Sequence, residues 1–217
     1  PIDEIGFEPE TVSYLEAGLK LRAADGTWQF SAAVFDGDYA DLQVAIVDPA
    51  TGALLTRNAG GARSRGLDLE LAWAFAAHWQ LGAGLSRLDA EYEDFTDAAC
   101  YPTPAQSIAE GCVRTGGAPL PPTATICQGN PGVICAQDLS GFPTSFAPDW
   151  SGTFSLRYQD RLGISAFNEP LMLSAGFEVM ATSSYYTSVN GAPGSLQGSF
   201  AKLDARVAVG SANGRWE

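Results

Sequence analysis

Along much of this chain apolar and polar residues alternate with a period of two, the pattern of a strand whose two faces meet different surroundings. In the first such segment Leu15, Ala17, Leu19 and Leu21 share one face, and Tyr14, Glu16, Gly18 and Lys20 share the other. Leu67, Leu69, Leu71 and Trp73 alternate with Gly66, Asp68, Glu70 and Ala72. Leu171, Leu173, Ala175, Phe177 and Val179 form another apolar stripe, and Leu203, Ala205, Val207 and Val209 run against Lys202, Asp204 and Arg206. Unpaired charges are costly to bury, so the polar face is expected to be wet. The pattern predicts an all-β protein of antiparallel strands, each with one apolar and one hydrated face.

The connectors between these segments sort by length. Residues 23–27 and 76–78 are tight, 40–62 and 94–149 are long, 159–169 is intermediate, 181–199 is long and 210–214 is tight. Alternating tight and long connectors mark a transmembrane β-barrel, with short turns on the periplasmic side and long loops outside. Aromatic residues fall at both ends of the strands. Trp28, Phe75, Trp79, Tyr158 and Trp216 lie beside the tight turns, and Phe35, Tyr39, Tyr92, Phe95, Trp150, Tyr185 and Tyr186 lie near the long loops. Two such belts are expected where a barrel meets the two membrane interfaces.

Composition narrows the reading further. The 217 residues carry a formal net charge of −13, which argues against a nucleic-acid partner. Mean hydropathy is −0.01. A barrel hides its membrane character in this way, because only alternate residues are apolar and no run approaches the ~18 apolar residues of a spanning helix.

Cys100, Cys112, Cys127 and Cys135 all lie in the 94–149 loop, together with Pro102, Pro104, Pro119, Pro121, Pro122 and Pro131. Disulfides form in an oxidising compartment and staple an otherwise loose excursion. Four cysteines allow three pairings, of which Cys100–Cys112 with Cys127–Cys135 closes the shortest loops. Their spacings lack the close pair of a structural zinc site, and no histidine is near. Asp36, Asp38 and Asp41 lack the rest of a calcium-binding loop and read as solvated loop carboxylates. The only histidine, His78, sits in a tight turn, and no nucleophile elbow or phosphate-binding loop is present. No catalytic residue, metal or cofactor is expected. On the polar face Gly18, Gly66, Gly82, Gly84 and Gly176 either ease strand curvature or let another domain's backbone approach closely.

The strings FEPETVSYLEAGLK, FDGDYADLQV, NAGGARSRGLDLELAWAF, LGAGLSRLDAEYEDF, FAPDWSGTFSLRY, SSYYTS and GRWE, in this order, resemble successive pieces of the barrel domain of TonB-dependent receptors. The resemblance covers essentially the whole chain. It implies a cell outer membrane protein of a Gram-negative bacterium, in contact with outer-membrane lipid, that imports a scarce nutrient such as a ferric siderophore, cobalamin or an oligosaccharide. It also implies an N-terminal plug with a TonB box, through which the TonB complex delivers energy, and the five glycines would then face that plug. Family barrels have about 22 strands. Seven complete strands are counted here, with Arg215 to Glu217 opening an eighth. The expectation is therefore residues 1–217 as a segment from the later part of such a barrel, without plug or terminal strands, forming an open curved sheet. Tyr101, Phe142, Phe146, Tyr185 and Tyr186 are candidate loop contacts for an aromatic siderophore or a sugar, or else they pack the loops. A passive porin, an outer-membrane enzyme on a smaller barrel, and a secreted β-sandwich binding module are the alternatives.

Overall fold

The computed structural model describes residues 8–47, 54–96, 98–100, 113–114, 135–166 and 168–211. Its strands are β1 (Thr11–Arg22), β2 (Trp28–Ala40), β3 (Gln43–Val47), β4 (Leu54–Asn58), β5 (Gly61–Ala76), β6 (Trp79–Asp94), β7 (Ala98–Ala99), β8 (Val113–Arg114), β9 (Cys135–Gln137), β10 (Trp150–Ala166), β11 (Glu169–Thr182), β12 (Tyr185–Tyr186), β13 (Leu196–Gln197) and β14 (Phe200–Ser211). Seven of them form one antiparallel sheet in the order β1-β2-β5-β6-β10-β11-β14. The sheet is open, with β1 and β14 at its two edges.

Local chemistry sets the tight turns. Between β1 and β2, Gly26 takes a positive φ of 74° and its amide donates to the Ala23 carbonyl at 3.0 Å. The Asp25 carboxylate accepts from the Thr27 amide at 3.0 Å and from its hydroxyl at 2.8 Å. The Thr27 amide, then its hydroxyl, hold the Asp25 carboxyl below the usual carboxylate range. Its support for the turn is thus present above the ordinary Asp range and lost as pH falls through the lowered value. The connector expected at 159–169 is shorter than its composition suggests. β10 continues through Gln159, Asp160 and Arg161 to Ala166, with an irregularity between Arg161 and Ser165 around Gly163, whose φ is positive.

Register fixes the faces. Leu69 pairs with Ala32 on one side and Leu85 on the other, while Asp68 pairs with Ala33 and Ser86. Each strand therefore sends its apolar stripe to the same face of the sheet. On that face Leu15, Leu203 and Val207 are 75%, 69% and 74% exposed, so the stripe covers no protein core. Near the tight turns the face carries Trp28 paired with Trp73, then ring contacts Trp73–Phe75 at 5.5 Å, Phe75–Trp79 at 6.3 Å and Trp79–Tyr158 at 4.8 Å. At the opposite end the same stripe turns charged, with Asp36 and Asp38 on β2, Arg63 and Arg65 on β5, and Arg87 and Asp89 on β6.

The aromatics near the long loops sort differently from expectation. Trp150 lies on the apolar stripe with Phe154, but Phe35 and Tyr39 pair with Gly66 and Ala62 on the polar face. Tyr92 and Phe95 are buried. They belong to a small core with Val44, Ala59, Ala62, Ala98 and Leu139, at the base of the long loops. Within those loops β3 pairs with β4, β9 lies between β7 and β8, and β12 pairs with β13.

Gly66 shows how closely the wall is packed on its polar side. A Cβ there would meet the Arg87 carbonyl oxygen and a Phe35 ring carbon 2.6 Å away. Overpacking of this kind costs about 1–3 kcal/mol. Gly66→Ala in the full-length protein should lower the denaturant midpoint accordingly, whereas Gly198→Ala, with open space around it, should leave the midpoint unchanged.

Candidate functional site

The polar face is built row by row from cross-strand partners. Across the middle of the wall one row reads Lys20, Ser31, Glu70, Gly84, Thr153, Met180 and Lys202, and the next reads Gln29, Ala72, Gly82, Ser155, Glu178 and Asp204. The Ser31 hydroxyl donates to Glu70 at 3.1 Å. Two open depressions follow. One of about 580 Å³ is floored by Gly82 and Gly84 and flanked by Lys20, Glu70, Thr153 and Ser155. The other, of about 770 Å³, lies toward the tight turns beside Arg157, Gly176, Glu178, Asp204 and Arg206. Glu178 stands directly across from Asp204, a like-charge pair that a hydrated face tolerates and a core would not.

The glycines of this face have local reasons to be glycine. A Cβ at Gly18 would sit 3.0 Å from the Ala32 carbonyl oxygen, at Gly82 2.7 Å from the Ser155 hydroxyl, at Gly84 3.0 Å from the Thr153 hydroxyl and at Gly176 3.3 Å from the Leu156 carbonyl oxygen. Above Gly66 the space is filled by the Phe35 ring. Tyr14 does the same over its cross-strand partner Gly37, where a Cβ would meet the ring at 2.9 Å. The Tyr14 and Phe35 rings stack at 6.1 Å and 21°, and the Tyr14 hydroxyl donates to Glu16 at 3.1 Å. The result is a flat apolar shelf on an otherwise polar wall. The sequence reading missed it, although counting back across the tight 23–27 turn sets Tyr14 opposite Gly37.

Four of the five candidate loop aromatics are brought together. Phe142 lies 4.8 Å from Tyr186 and Phe146 lies 6.3 Å from Tyr185, ring to ring. The Phe146 amide donates to the Tyr186 carbonyl at 2.7 Å. Phe142 packs against the small core and over Gly191, whose φ is 63°. Phe146 is 67% exposed. Tyr101, Cys112, Cys127 and Trp216 lie outside the described residues. Cys100 is buried and disulfide-bonded, and Cys135 is placed through its backbone pairing with Arg114.

The return arm of the 94–149 loop is tied down at its base. The Tyr92 amide donates to the Phe142 carbonyl at 3.0 Å, the Leu139 amide to the Phe95 carbonyl at 2.9 Å and the Thr144 amide to the Ala90 carbonyl at 3.0 Å. Gln137 reaches the Asn190 carbonyl of the next loop at 2.7 Å. The Ser140 hydroxyl and amide hold the Asp138 carboxyl below its usual range. His78 has the surroundings of a turn residue, its Nδ1 3.1 Å from the Gln159 carbonyl and 3.5 Å from Asp160. Among the described residues no group of three or more His, Cys, Asp or Glu side chains is arranged to hold a metal ion.

A one-sided apolar antiparallel wall with an aromatic belt, a hydrated opposite face and loops knotted at one rim defines a segment of a transmembrane β-barrel. The chain belongs to the TonB dependent receptor-like β-barrel family, whose model matches residues 3–216. The barrels of that family are outer-membrane proteins of Gram-negative bacteria. No curated protein matches the chain. Its fold is similar to that of three solved receptors. They are the ferric yersiniabactin uptake receptor FyuA of Yersinia pestis (TM-score 0.53, 19% identity), the siderophore receptor PiuA of Acinetobacter baumannii (0.58, 18%) and the ferric-catecholate import receptor Fiu of E. coli K12 (0.52, 17%). Each alignment covers 93% of this chain and 22%, 22% and 21% of the receptor, respectively, so the chain spans about a fifth of their length.

Truncating Tyr92 should unfasten the loops. Tyr92→Ala opens a cavity in the small core, at a local cost of about 3–5 kcal/mol. Hydrogen exchange of the full-length protein should then accelerate at residues 137–144. Phe146→Ala, at an exposed position, should leave exchange there unchanged.

Proposed function

We propose that this chain is part of the wall of an outer-membrane receptor that imports a scarce small molecule, a ferric siderophore by preference, with energy delivered by the TonB complex through a plug inside the barrel. The observation that carries this reading is the seven-stranded wall with its apolar stripe and aromatic belt on one face and a hydrated face on the other, in a chain of the TonB-dependent receptor family. In this reading the apolar face meets lipid, the polar face meets the plug and its water, and the 94–149 loop lies outside the cell. Gly18, Gly82, Gly84 and Gly176 are the plug-facing glycines, with Gly66 reserved for the Phe35 ring. The ligand is met by Phe146 and Tyr185 from the loops and by the Tyr14–Phe35 shelf from the wall, flat faces suited to an aromatic chelate. Preference for a siderophore over cobalamin or an oligosaccharide rests on the siderophore receptors that share the fold.

A strain lacking the full-length receptor tests this directly. Under iron limitation it should lose growth on a ferric catecholate or hydroxamate chelate while growing normally on cobalamin and oligosaccharides, and removal of TonB should reproduce the loss. Uptake that persists without TonB would move the reading to a passive porin.

The cysteines belong to the same proposal as staples of the external loop. The sequential pairing Cys100–Cys112 and Cys127–Cys135 closes the shortest loops. The ladder favours another, because Ala98 pairs with Gln137 and Ala99 with Ala136, and one further step sets Cys100 opposite Cys135. We adopt Cys100–Cys135, which leaves Cys112 for Cys127. Peptide mapping without reduction should recover the 100/135 pair, and a 100/112 pair would restore the sequential scheme.

A further inference from the structure

The polar face is divided along its length by charge. Every Lys and Arg that the described strands place on it, namely Lys20, Arg22, Arg157, Lys202 and Arg206, lies from the row of Glu70 toward the tight turns. The half nearer the long loops carries Glu16 and Asp68 with no base between them. That half also holds the Tyr14–Phe35 shelf, so flat rings and unneutralised carboxylates fall in one place.

Register puts these groups side by side. Glu16 on β1 is the cross-strand partner of Phe35, and Asp68 on β5 is its diagonal neighbour, since Phe35 pairs with Gly66. Opposite partners lie about 4.5–5.5 Å apart and diagonal ones about 7–8 Å. Phe35 therefore has a carboxylate on each flank. The Tyr39 ring comes 3.6 Å from where a Gly37 Cβ would sit, over the same glycine as the Tyr14 ring, so a third aromatic borders the shelf. The Tyr14 hydroxyl donates to Glu16 at 3.1 Å, which fixes that carboxylate without neutralising it. Among the described residues neither Glu16 nor Asp68 makes a salt bridge. Such a set repels an anion and attracts a cation twice over, through the ring quadrupoles and through the carboxylates.

We infer that Tyr14, Phe35, Glu16 and Asp68 bind a positively charged nitrogen on the imported molecule, a protonated amine or a quaternary ammonium. This deepens the proposed function and rests on it. The site then selects among ferric chelates by their charge. Three catecholates, each losing two protons, leave ferric iron in a trianion that the carboxylates repel. Three hydroxamates, each losing one, leave a neutral core to which a free amine adds a single positive charge. The class that fits is a trihydroxamate chelate with a pendant ammonium, the nitrogen lying over the shelf between the two carboxylates.

Binding to the purified full-length receptor in detergent reads the site with two probes. One is the ferric complex of desferrioxamine B, a linear trihydroxamate ending in a primary amine. The other is the ferric complex of its N-acetyl form, in which the amine is an uncharged amide. At the strength of a cation held over an aromatic face, wild type should bind the free amine roughly tenfold tighter than the acetylated chelate. E16Q/D68N should bring the two affinities together by weakening the amine form and leaving the acetylated form unchanged. E16D/D68E, which keeps both charges, should retain most of the preference and guards against misfolding. Equal binding of the two probes by wild type, binding of neither, or a preference that survives E16Q/D68N would overturn the inference. So would loss of the preference in E178Q/D204N, which would assign it to the charge of the face as a whole. The parent reading fails on different evidence, normal uptake of every ferric chelate by the strain lacking the receptor.

Discussion

The backbone ladder is the constraint on which everything else in this molecule depends. Strand parity sorts each side chain to one face, and a slip of one residue would send Leu67, Leu69, Leu71 and Trp73 to the hydrated side and Asp68 and Glu70 to the apolar side. Register is therefore strongly specified even though the wall has no core of its own. The tight turns at residues 23–27 and 77–78 close the hairpins that set it, and the aromatic belt beside them marks the same end on β2, β5, β6 and β10.

Because both faces of the sheet are spoken for, the only buried cluster among the described residues lies at the rim. Tyr92, Phe95 and Leu139 gather the ends of three long connectors, with Val44 and Ala59 from the first and Val189 from the last. Long loops are ordinarily the loosest parts of a fold. Here their bases share one small core and a set of backbone hydrogen bonds, so a displacement of one return arm is felt by the others. Phe142, held between that core and Tyr186, joins the second loop to the third together with the Gln137 bond to the Asn190 carbonyl and the Phe146 amide bond to the Tyr186 carbonyl.

The alternation of Leu67 to Trp73 with Gly66 to Ala72 was legible in the sequence because period-two patterning is local, and the connectors 23–27, 40–62, 94–149 and 181–199 came close to their observed bounds for the same reason. The 159–169 connector was misjudged because polarity was taken as the end of a strand. Gln159, Asp160 and Arg161 are strand residues beyond the apolar stripe, and the irregularity near Gly163 is invisible to a hydrophobicity pattern. Phe35 and Tyr39 were assigned to a belt by nearness to a loop, although their parity with Ser31 and Ala33 already set them on the polar face. Burial of Tyr92 and Phe95 depends on a return arm about 45 residues away in sequence, as in the Phe95 amide bond to the Ser140 hydroxyl. No local pattern carries that information.

The charged end of the apolar stripe shows what register adds to parity. In sequence Asp36 comes late in β2, Arg65 early in β5 and Arg87 late in β6, and nothing links them. Antiparallel pairing folds these positions onto one rim, where Asp36 pairs with Arg65 and Arg65 with Asp89, in rows adjacent to Leu67 and Arg87. Opposite charges then meet across both boundaries of β5, which is favourable for cross-strand neighbours. The apolar stripe consequently ends at nearly the same height on three strands, in a line drawn by the protein's own charges. A wall that buries almost nothing must carry its instructions on its surface, and the position of that line is the instruction that sets how deep the strands can sit in an apolar layer.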